Sequence, residues 1–484
     1  MLLIIHGISG ACRTITCALF FICAPLLNAQ QFNGYVYSDF AGILGARTQP
    51  ASIAGSPYNY HFSLVNASFS GSNNISQLVV SPEGGSEFQR IIENDRKFLQ
   101  ASLTAGGLSA MFTLPNKQAI GIQAQFRSHL STNNISPDFA NQFQNWQDPQ
   151  IINRPFSDQT GEFAGAAWRE LSFTYAKVFK QQGRHMWKGG ITAKMINSYG
   201  SLFIELEDFD YTLIGQGRAE VTSGSVRYGF SDNLDQYTNF GGDQSFSSLP
   251  PTNKAQFAVD LGVVYQHKAN RRPLRTKNGT RKRREFEYDY RIGFSITDIG
   301  VLKFNYGGFS TAASELLSNN VDPVNLNVVF ARPSSLPDLT AQLQEFLVTE
   351  SLTGEYTIAL PAASHINVDY NLGKGFFANA NIRVDISSLL PADYKLHYYS
   401  NVTLTPRWES RSFGLYMPLL INQLGEFRGG AAVRLGPLVF GSQDWGALFS
   451  NTVRQASFFF TLNLADFALT ADQKRARSCF SPWG

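Results

Sequence analysis

One stretch near the middle of the chain, Glu285–Thr297, alternates between apolar and polar residues without a break. Successive side chains of a β-strand point to opposite sides, so this stretch predicts one strand with an apolar face and a charged face. The residues of the apolar face are Phe286, Tyr288, Tyr290, Ile292, Phe294 and Ile296. Such a strand fits either a soluble sheet that buries its aromatic face or a membrane barrel that turns this face towards lipid.

The same alternation recurs from about Tyr58 to Leu464, for example in Ala255–Lys268 and Phe376–Ile386. Short polar turns join some of these stretches, whereas long polar connections such as Ser131–Ala167 join others. Short turns at one end and long loops at the other are typical of outer-membrane barrels. We therefore predict an all-β fold, a transmembrane antiparallel up-and-down β-barrel of about 14 strands, with about 12 or 16 as alternatives.

The composition favours this barrel over the alternative of a soluble β-sandwich. Charged residues make up only 16% of the 484 residues, whereas Gly (41) and Phe (39) are abundant. Strands that need only a half-apolar face give this combination without the ~18 consecutive apolar residues of a membrane-spanning helix. The formal net charge of +3 indicates no nucleic-acid partner.

The N-terminus predicts export to the bacterial outer membrane. An apolar run, Ile15–Leu27, is followed by Ala29, which suits a cleaved signal peptide over residues 1–29. Cleavage would leave Cys479 as the single cysteine, which excludes an internal disulfide. The remaining divisions that we expect are a lead-in or plug segment at 30–57, the barrel at 58–465 and a tail at 466–484.

On the barrel interpretation, the polar faces of the strands line a lumen. Charges of opposite sign recur at two-residue spacing, as in Arg383 and Asp385, and can pair with one another or across strands. These charges would set the local field and the selectivity of a channel. The predicted lumen-lining residues are Asp260, Glu287, Asp289, Arg291, Asp369, Arg383, Asp385, Arg407, Arg428 and Arg434.

Aromatic residues near predicted strand ends are expected to form girdles at the two membrane interfaces. Ordinary strand propensity of aromatic residues is the alternative explanation. The residues in question include Trp168, Trp187, Tyr398, Tyr399 and Trp408.

Several segments together resemble a family of Bacteroidota outer-membrane β-barrels of unknown function. The first is SDFAGILGARTQPASIAGSPY, which ends at Tyr58 and leads into a strand. The others are Gly293–Phe304, which contains Asp-Ile-Gly, and the hairpins at Ile366–Ile382 and Arg407–Ser442. The resemblance implies an outer-membrane barrel and no particular activity, because it is spread over strands.

The chain is also distantly similar to the long-chain fatty-acid transporter family of outer-membrane barrels. That family often carries Asn-Pro-Ala before its first strand, where this chain has Gln49-Pro50-Ala51. In the family, the N-terminal segment folds into the barrel as a plug. The resemblance therefore implies a plug at 30–57, and a lead-in strand outside the barrel is the alternative.

No motif for catalysis, for a cofactor or for a metal ion accompanies these features. The seven His residues form no ligand pair at metal spacing, and there is no G-x-S-x-G nucleophile motif. The sequence predicts that the protein is not an enzyme and needs no cofactor.

A basic connection at residues 271–284 precedes the alternating strand. Its cationic residues are Arg271, Arg272, Arg275, Lys277, Arg281, Lys282, Arg283 and Arg284. Such a cluster can bind lipopolysaccharide phosphates if it is extracellular, or an acidic protein partner if it is periplasmic. A solvated turn is the third alternative.

Two functions fit these features. The first is a passive, porin-like channel or transporter for a small solute, amphipathic if it follows the fatty-acid transporter pattern. The second is a non-transporting scaffold or shuttle in an outer-membrane secretion or assembly complex, which would bind its partner through the long loops or the basic connection. They differ in whether the lumen is open, which side chains and loops decide.

Overall fold

The structure is a computed structural model. It describes residues 33–81, 85–91, 95–143, 152–215, 218–237, 251–252, 254–268, 274–275, 281–282, 288–316, 324–325, 341, 344, 347–423, 425–444 and 451–467. The predicted signal peptide at 1–29 lies outside these residues, as does the predicted tail from residue 468 onwards.

The described residues form a closed barrel of 14 antiparallel strands, which confirms the predicted fold class. In chain order, the wall strands are β1 (Tyr58–Asn73), β2 (Leu99–Gly106 and Ser109–Leu114), β3 (Gln118–Asn133), β4 (Pro155–Gln182), β5 (His185–Gly215), β6 (Arg218–Phe230 and Ala255–Lys268), β7 (Tyr288–Asn305 and Thr311–Leu316), β8 (Leu347–Ser351, Glu355–Ala359 and Ala363–Gly373), β9 (Phe376–Asp385), β10 (Asn401–Glu409), β11 (Phe413–Tyr416 and Leu419–Asn422), β12 (Phe427–Gly429 and Ala431–Leu435), β13 (Leu438–Ser442) and β14 (Gln455–Phe467). Antiparallel pairing of β1 with β14 closes the barrel.

Short turns lie at one end of the barrel and most of the longer connections lie at the other. The 3₁₀ turn Pro115–Lys117 joins β2 to β3 at the short-turn end, where the barrel also begins and ends. The longer connections carry the remaining elements. They are the helix Pro137–Phe143, the 3₁₀ turns Asp232–Tyr237 and Ser387–Leu389, a small sheet of Ser76–Ser81, Gly85–Arg90 and Thr452–Val453, and the short strands Val324–Asn325 and Tyr394–Lys395.

Two expected boundaries differ from those in the structure. The connection predicted at Ser131–Ala167 is shorter, because β3 runs to Asn133 and β4 begins at Pro155. The last strand continues to Phe467, beyond the expected end of the barrel at 465. None of the helices in the described parts of the chain is long and apolar enough to cross a membrane.

The alternating strand shows which face points outwards. On β7, Ile292 and Phe294 are each 45% exposed, whereas Gly293 between them and Ser295 and Thr297 beyond them are buried. The apolar face is therefore on the outside of the barrel and the polar face is inside. Tyr288 is an exception to the predicted pattern, because it is 1% exposed and points inwards.

An irregularity in pairing accounts for Tyr288. The register between β6 and β7 shifts between His267, which faces Tyr290, and Lys268, which faces Tyr288. A bulge of this kind puts two consecutive residues out of step and turns a side chain to the other face. The prediction that Tyr288 belongs to the outer aromatic face is therefore wrong.

Three neighbouring strands, β6, β7 and β8, leave the wall at a similar level. β7 turns inwards after Asp298, which has a left-handed φ of 59°. The following Gly300 passes so close to β6 that an added Cβ would lie 2.6 Å from Cβ of Ala258. Beyond it, Val301–Asn305 pairs antiparallel with Glu355–Ala359 of β8. We call this strand pair the inner hairpin, although residues 306–354 lie between its two strands in the chain.

The N-terminal segment, residues 33–57, lies inside the barrel. It consists of the helix Asn33–Val36 and the 3₁₀ turns Asp39–Arg47 and Pro50–Ile53. Its hydrogen bonds reach walls far apart in the barrel, with Tyr35 contacting β14 at Asn463 and Arg47 contacting β3 at Gln123. These contacts hold the segment against the inner side of the wall, and we call residues 33–57 the plug.

Candidate functional site

The Gln49-Pro50-Ala51 motif attaches the plug to the wall through backbone groups. The side-chain amide of Gln49 donates to the carbonyl of Phe294 on β7 (3.0 Å) and to that of Val263 on β6 (3.3 Å). Its carbonyl oxygen accepts from the backbone N–H of Ala51 at 3.3 Å. A side-chain amide supplies both donor and acceptor, so one residue links the plug turn to two strands.

Three glycines on adjacent strands make room for this motif. Gly190 of β5 faces Gly262 of β6 in the sheet, and Gly293 lies on β7. An added Cβ at Gly190 would lie 2.4 Å from the backbone nitrogen of Ala51, and one at Gly262 would lie 1.9 Å from Gln49 Oε1. Larger residues would therefore push the plug away from the wall. We call Gly190, Gly262 and Gly293 the glycine notch.

A first buried ion cluster joins three walls. The carboxylate of Asp369 on β8 accepts hydrogen bonds from both Nη atoms of Arg407 on β10, at 2.6 and 2.8 Å. It also forms an ion pair with Nη2 of Arg291 at 3.0 Å and accepts a hydrogen bond from the hydroxyl of Tyr288 at 2.6 Å, both from β7. Asp369 is fully buried, and this bidentate pairing together with two further donors satisfies its charge.

The plug completes this first cluster. Arg291 also forms an ion pair with Asp39 of the plug and donates to the plug backbone. Arg407 donates through Nε to Glu409 at 3.1 Å, and the hydroxyl of Ser38 in the plug donates to the same carboxylate. We call Asp39, Arg291, Asp369, Arg407 and Glu409 the Asp369 cluster, which anchors the plug by charge.

A second cluster, the Asp298 cluster, spans the interior between β3 and β7. Arg127 donates both Nη atoms to Asp298, at 2.7 and 2.9 Å, and Nη1 to Glu170 at 3.2 Å. Lys194 donates to Asp298 at 2.7 Å and to Asp260 at 2.8 Å. All five side chains are nearly inaccessible, so every charge depends on its neighbours for solvation.

The inner hairpin packs in an apolar cluster beside the Asp298 cluster. Leu302, Phe304 and Ile358 are buried there with Trp168 of β4 and Phe203 of β5. Trp168 is fully buried and donates through Nε1 to Glu170 at 3.2 Å. The prediction that Trp168 belongs to an interfacial girdle is therefore wrong.

The connection between β9 and β10, residues 386–400, also enters the barrel. His397 contacts Asp385 at 2.8 Å, and its backbone N–H donates to Ser131 on β3 at 2.9 Å. The hydroxyl of Tyr399 donates to the carbonyl of Thr132 at 3.0 Å. The plug, the inner hairpin and this connection together occupy the interior from one end to the other.

The structure places most of the predicted lumen residues in the Asp369 cluster, in the Asp298 cluster or beside the 386–400 connection. Arg291, Asp369 and Arg407 are in the Asp369 cluster, and Asp260 is in the Asp298 cluster. Arg383 lies 4.4 Å from the ring of Tyr398, beside Asp385 and its His397 contact.

The other predicted residues lie apart from the two clusters. Arg428 contacts Glu426 at 3.1 Å, and Arg434 lies 3.8 Å from the ring of Phe40 in the plug. Asp289 is at the short-turn end, where it contacts Arg184 at 3.0 Å. Glu287 lies outside the described residues.

Several charged residues of the interior were not predicted. Arg127, Glu170 and Lys194 sit on long strands whose inward positions are polar at every second residue, as in Gln123, Gln125 and Arg127. Extending the alternation through β3, β4 and β5 would have revealed them. Asp298 interrupts the alternation of β7, so only its bulge shows that it points inwards.

A cavity of about 110 Å³ lies between the plug and the wall at the short-turn end. Its charged lining residues are Asp39, Lys117, Lys188, Lys268 and Arg291. A smaller cavity of about 50 Å³ lies beside the 386–400 connection. Within the described residues, no group of three or more His, Cys, Asp or Glu side chains is placed to hold a metal ion.

Burial alters the ionisation of two plug residues. It lowers the pKa of the Arg47 guanidinium to about 10, although Glu170 raises it in part. Burial also raises the pKa of the Tyr37 hydroxyl, which donates to Asn381 at 2.7 Å. Tyr37 is therefore neutral and Arg47 is charged near neutral pH.

Comparison with known proteins identifies a family but no activity. The family described as "Family of unknown function (DUF5723)" matches residues 50–443. No curated protein matches the chain.

Several solved structures match the chain at low similarity. The Ralstonia pickettii toluene transporter TbuX has 9% identity and a TM-score of 0.41, with 88% of this chain and 94% of that chain covered. A Pseudomonas aeruginosa FadL homologue has 8% identity and a TM-score of 0.39, with 87% and 93% covered. The P. putida toluene transporter TodX has 9% identity and a TM-score of 0.36, with 87% and 92% covered. Similarity at this level gives no argument for a shared solute.

Proposed function

The chain belongs to DUF5723, the family of unknown function that matches most of its length, and we propose that it is an outer-membrane channel or transporter closed by its own plug. The observation that carries this proposal is the plug held inside a closed barrel by the glycine notch and the Asp369 cluster. The plug also packs Phe40, Ile43 and Leu44 into a buried apolar cluster with wall residues. Non-covalent contacts of all three kinds can be released together.

The outer surface of the barrel supports a location in a lipid bilayer. Large apolar side chains are exposed all around the wall, among them Phe173 on β4, Phe257 on β6, Val402 on β10 and Phe440 on β13. A soluble protein rarely exposes a continuous apolar surface of this extent. Outer-membrane lipid is therefore the partner that we propose for this face.

We infer that the basic connection, residues 271–284, lies on the periplasmic side. Residues 271–284 join β6 to β7 at the short-turn end, and Leu274–Arg275 pairs there with Arg281–Lys282. In barrels of this architecture the short turns face the periplasm. This placement favours an acidic periplasmic partner over lipopolysaccharide.

The solute that we propose is small and amphipathic. Inside the barrel, the charged Asp298 cluster lies directly beside the apolar cluster of the inner hairpin, with Trp168 in contact with both. A molecule with one polar and one apolar end would match this pairing of a charged cluster with an apolar one. No enzymatic activity is part of this proposal.

Loosening the plug tests the proposal. In Gly190→Val, the new side chain would collide with the Pro50-Ala51 turn, an overpacking that typically costs about 1–3 kcal/mol. We expect this variant to increase conductance in planar bilayers and uptake of small solutes by liposomes over the wild type. The control is Gly189→Val, where an added Cβ meets only the Phe179 ring at an ordinary 3.5 Å.

The alternative is a non-transporting scaffold or shuttle in a secretion or assembly complex. The specific observation in its favour is that three insertions fill the interior. If Gly190→Val inserts correctly but conducts no more than Gly189→Val, channel function is refuted and the scaffold is favoured. Crosslinking in intact cells should then recover a partner in stoichiometric amount.

A further inference from the structure

We propose that the cavity between the plug and the wall is a binding site for a small oxyanion, a phosphate or a carboxylate. This inference goes beyond the proposed channel and does not depend on it, because a closed barrel could hold the anion equally well. It rests on the positions of Lys188, of the other cationic residues around the cavity and of the neutral Ser52.

Lys188 is the main observation. It lies on the inward face of β5, between the inward-facing Met186 and Gly190, and only 5% of it is exposed. Within the described residues, its ammonium group has no hydrogen-bond or ion-pair partner, although every charge of the two clusters has one. A buried unpaired ammonium is costly, so a site built around it calls for an anion.

The surrounding charges are unbalanced in the same direction. Lys117, Lys188, Lys268 and Arg291 line the cavity, against one carboxylate, that of Asp39. Arg291 is paired with Asp369 as well as with Asp39, so the lysines are the cationic groups that an anion in the cavity would meet. Asp39 forms its ion pair with Arg291 and not with Lys188. Cationic groups concentrated in a small cavity attract anions strongly.

Neutral donors complete the site. Ser52 of the plug also lines the cavity, and its buried hydroxyl has no hydrogen-bond partner among the described residues. A hydroxyl and an ammonium that line the same cavity can donate to different oxygens of one anion. The anion would thereby connect the plug to β5 and stabilise the docked plug.

The size of the cavity limits the ligand. About 110 Å³ is room for roughly three to four water molecules at about 30 Å³ each. Inorganic phosphate and acetate-sized carboxylates match this volume. A longer molecule would have to place its phosphate or carboxylate head here and extend towards the short-turn end.

Titration calorimetry on the full mature chain, refolded in detergent, tests the site with inorganic phosphate and with acetate. We expect the wild type to bind at least one of them with one site per chain. Lys188→Met should weaken that binding about tenfold or more, because it removes a charged hydrogen-bond donor to the anion. Lys188→Arg should retain binding to within a few-fold.

Two further variants make the test decisive. Lys180→Met removes an exposed lysine at the same end of the barrel and should leave binding unchanged. Ser52→Ala should weaken binding by several-fold. If Lys188→Met shows no heat-modifiable migration in gels, and so has not folded, Ser52→Ala replaces it as the test variant. Absence of binding of both anions to the wild type would overturn the proposal. So would equal affinities of the wild type, Lys188→Met and Ser52→Ala. A preference for phosphate or for acetate would identify the head group.

Discussion

The substitution Arg407→Met tests whether the Asp369 cluster holds the barrel interior together. Arg407 is completely buried and makes two hydrogen bonds to Asp369 and one to Glu409. Its guanidinium also lies 4.6 Å from the ring of Phe377. Methionine keeps an unbranched apolar chain that can still pack on this ring, so the main change is the loss of a buried positive charge.

The expected magnitude follows from what each partner retains. Asp369 keeps Arg291 at 3.0 Å and the hydroxyl of Tyr288 at 2.6 Å, so its charge remains compensated. Glu409 keeps only the hydroxyl of Ser38 among the described residues. Breaking a buried pair and leaving one charge uncompensated typically costs about 3–5 kcal/mol. We expect Arg407→Met to lower the free energy of unfolding by this amount.

Urea unfolding of the protein in lipid vesicles, followed by tryptophan fluorescence and heat-modifiable migration, measures this loss. The double variant Arg407→Met with Glu409→Gln removes the orphaned charge as well. It should recover at least about 1 kcal/mol relative to the single variant, since a neutral amide costs less to bury than a carboxylate. A loss below about 1 kcal/mol for Arg407→Met, or a double variant less stable than the single one, would refute this reasoning.

Two further predictions concern the outer face and the bulge of β7. Phe294→Arg places a charge in the middle of the lipid-facing surface and should destabilise the barrel in vesicles by about 2–4 kcal/mol. The control Leu389→Arg, at a residue 78% exposed in the 386–400 connection, should be nearly neutral. Equal stabilities of the two variants in vesicles would contradict the lipid-facing assignment. Asp298→Ala should destabilise more than Asp298→Asn, by about 1 kcal/mol. Asparagine tolerates the left-handed backbone at this position and keeps a side-chain oxygen that accepts from Arg127 and Lys194. Denaturant unfolding of the two variants side by side checks this, and an equal loss would mean that neither property contributes.

Much of the fold could be predicted because the evidence for it is local. The alternation in Ala255–Lys268 is visible in the sequence, and the burial of Ala258 and Asp260 against the exposure of Phe257 and Leu261 follows it. Most of the predicted lumen residues point inwards for the same reason. The alternation fails at Tyr288 and Asp298, where bulges change the direction of the side chain.

The partners of the inward charges could not be predicted. The sequence places Arg383 and Asp385 at pairing distance, yet Asp385 contacts His397 and Arg383 lies against Tyr398. Arg127 finds Asp298 four strands away around the wall, across the interior. Such contacts depend on the diameter of the barrel and on what fills it, and neither is recorded in a local pattern.

The sequence by itself determined that this chain builds a barrel with an apolar outside and a polar inside, because the two-residue period of a strand is a property of the local backbone. Only the tertiary structure decided that the plug, the inner hairpin and the 386–400 connection fill that interior, and that the charges pair across it. Desolvation explains this division. A buried charge must be matched by whichever opposite charge the closed barrel brings near, and closure joins residues that are far apart in the chain.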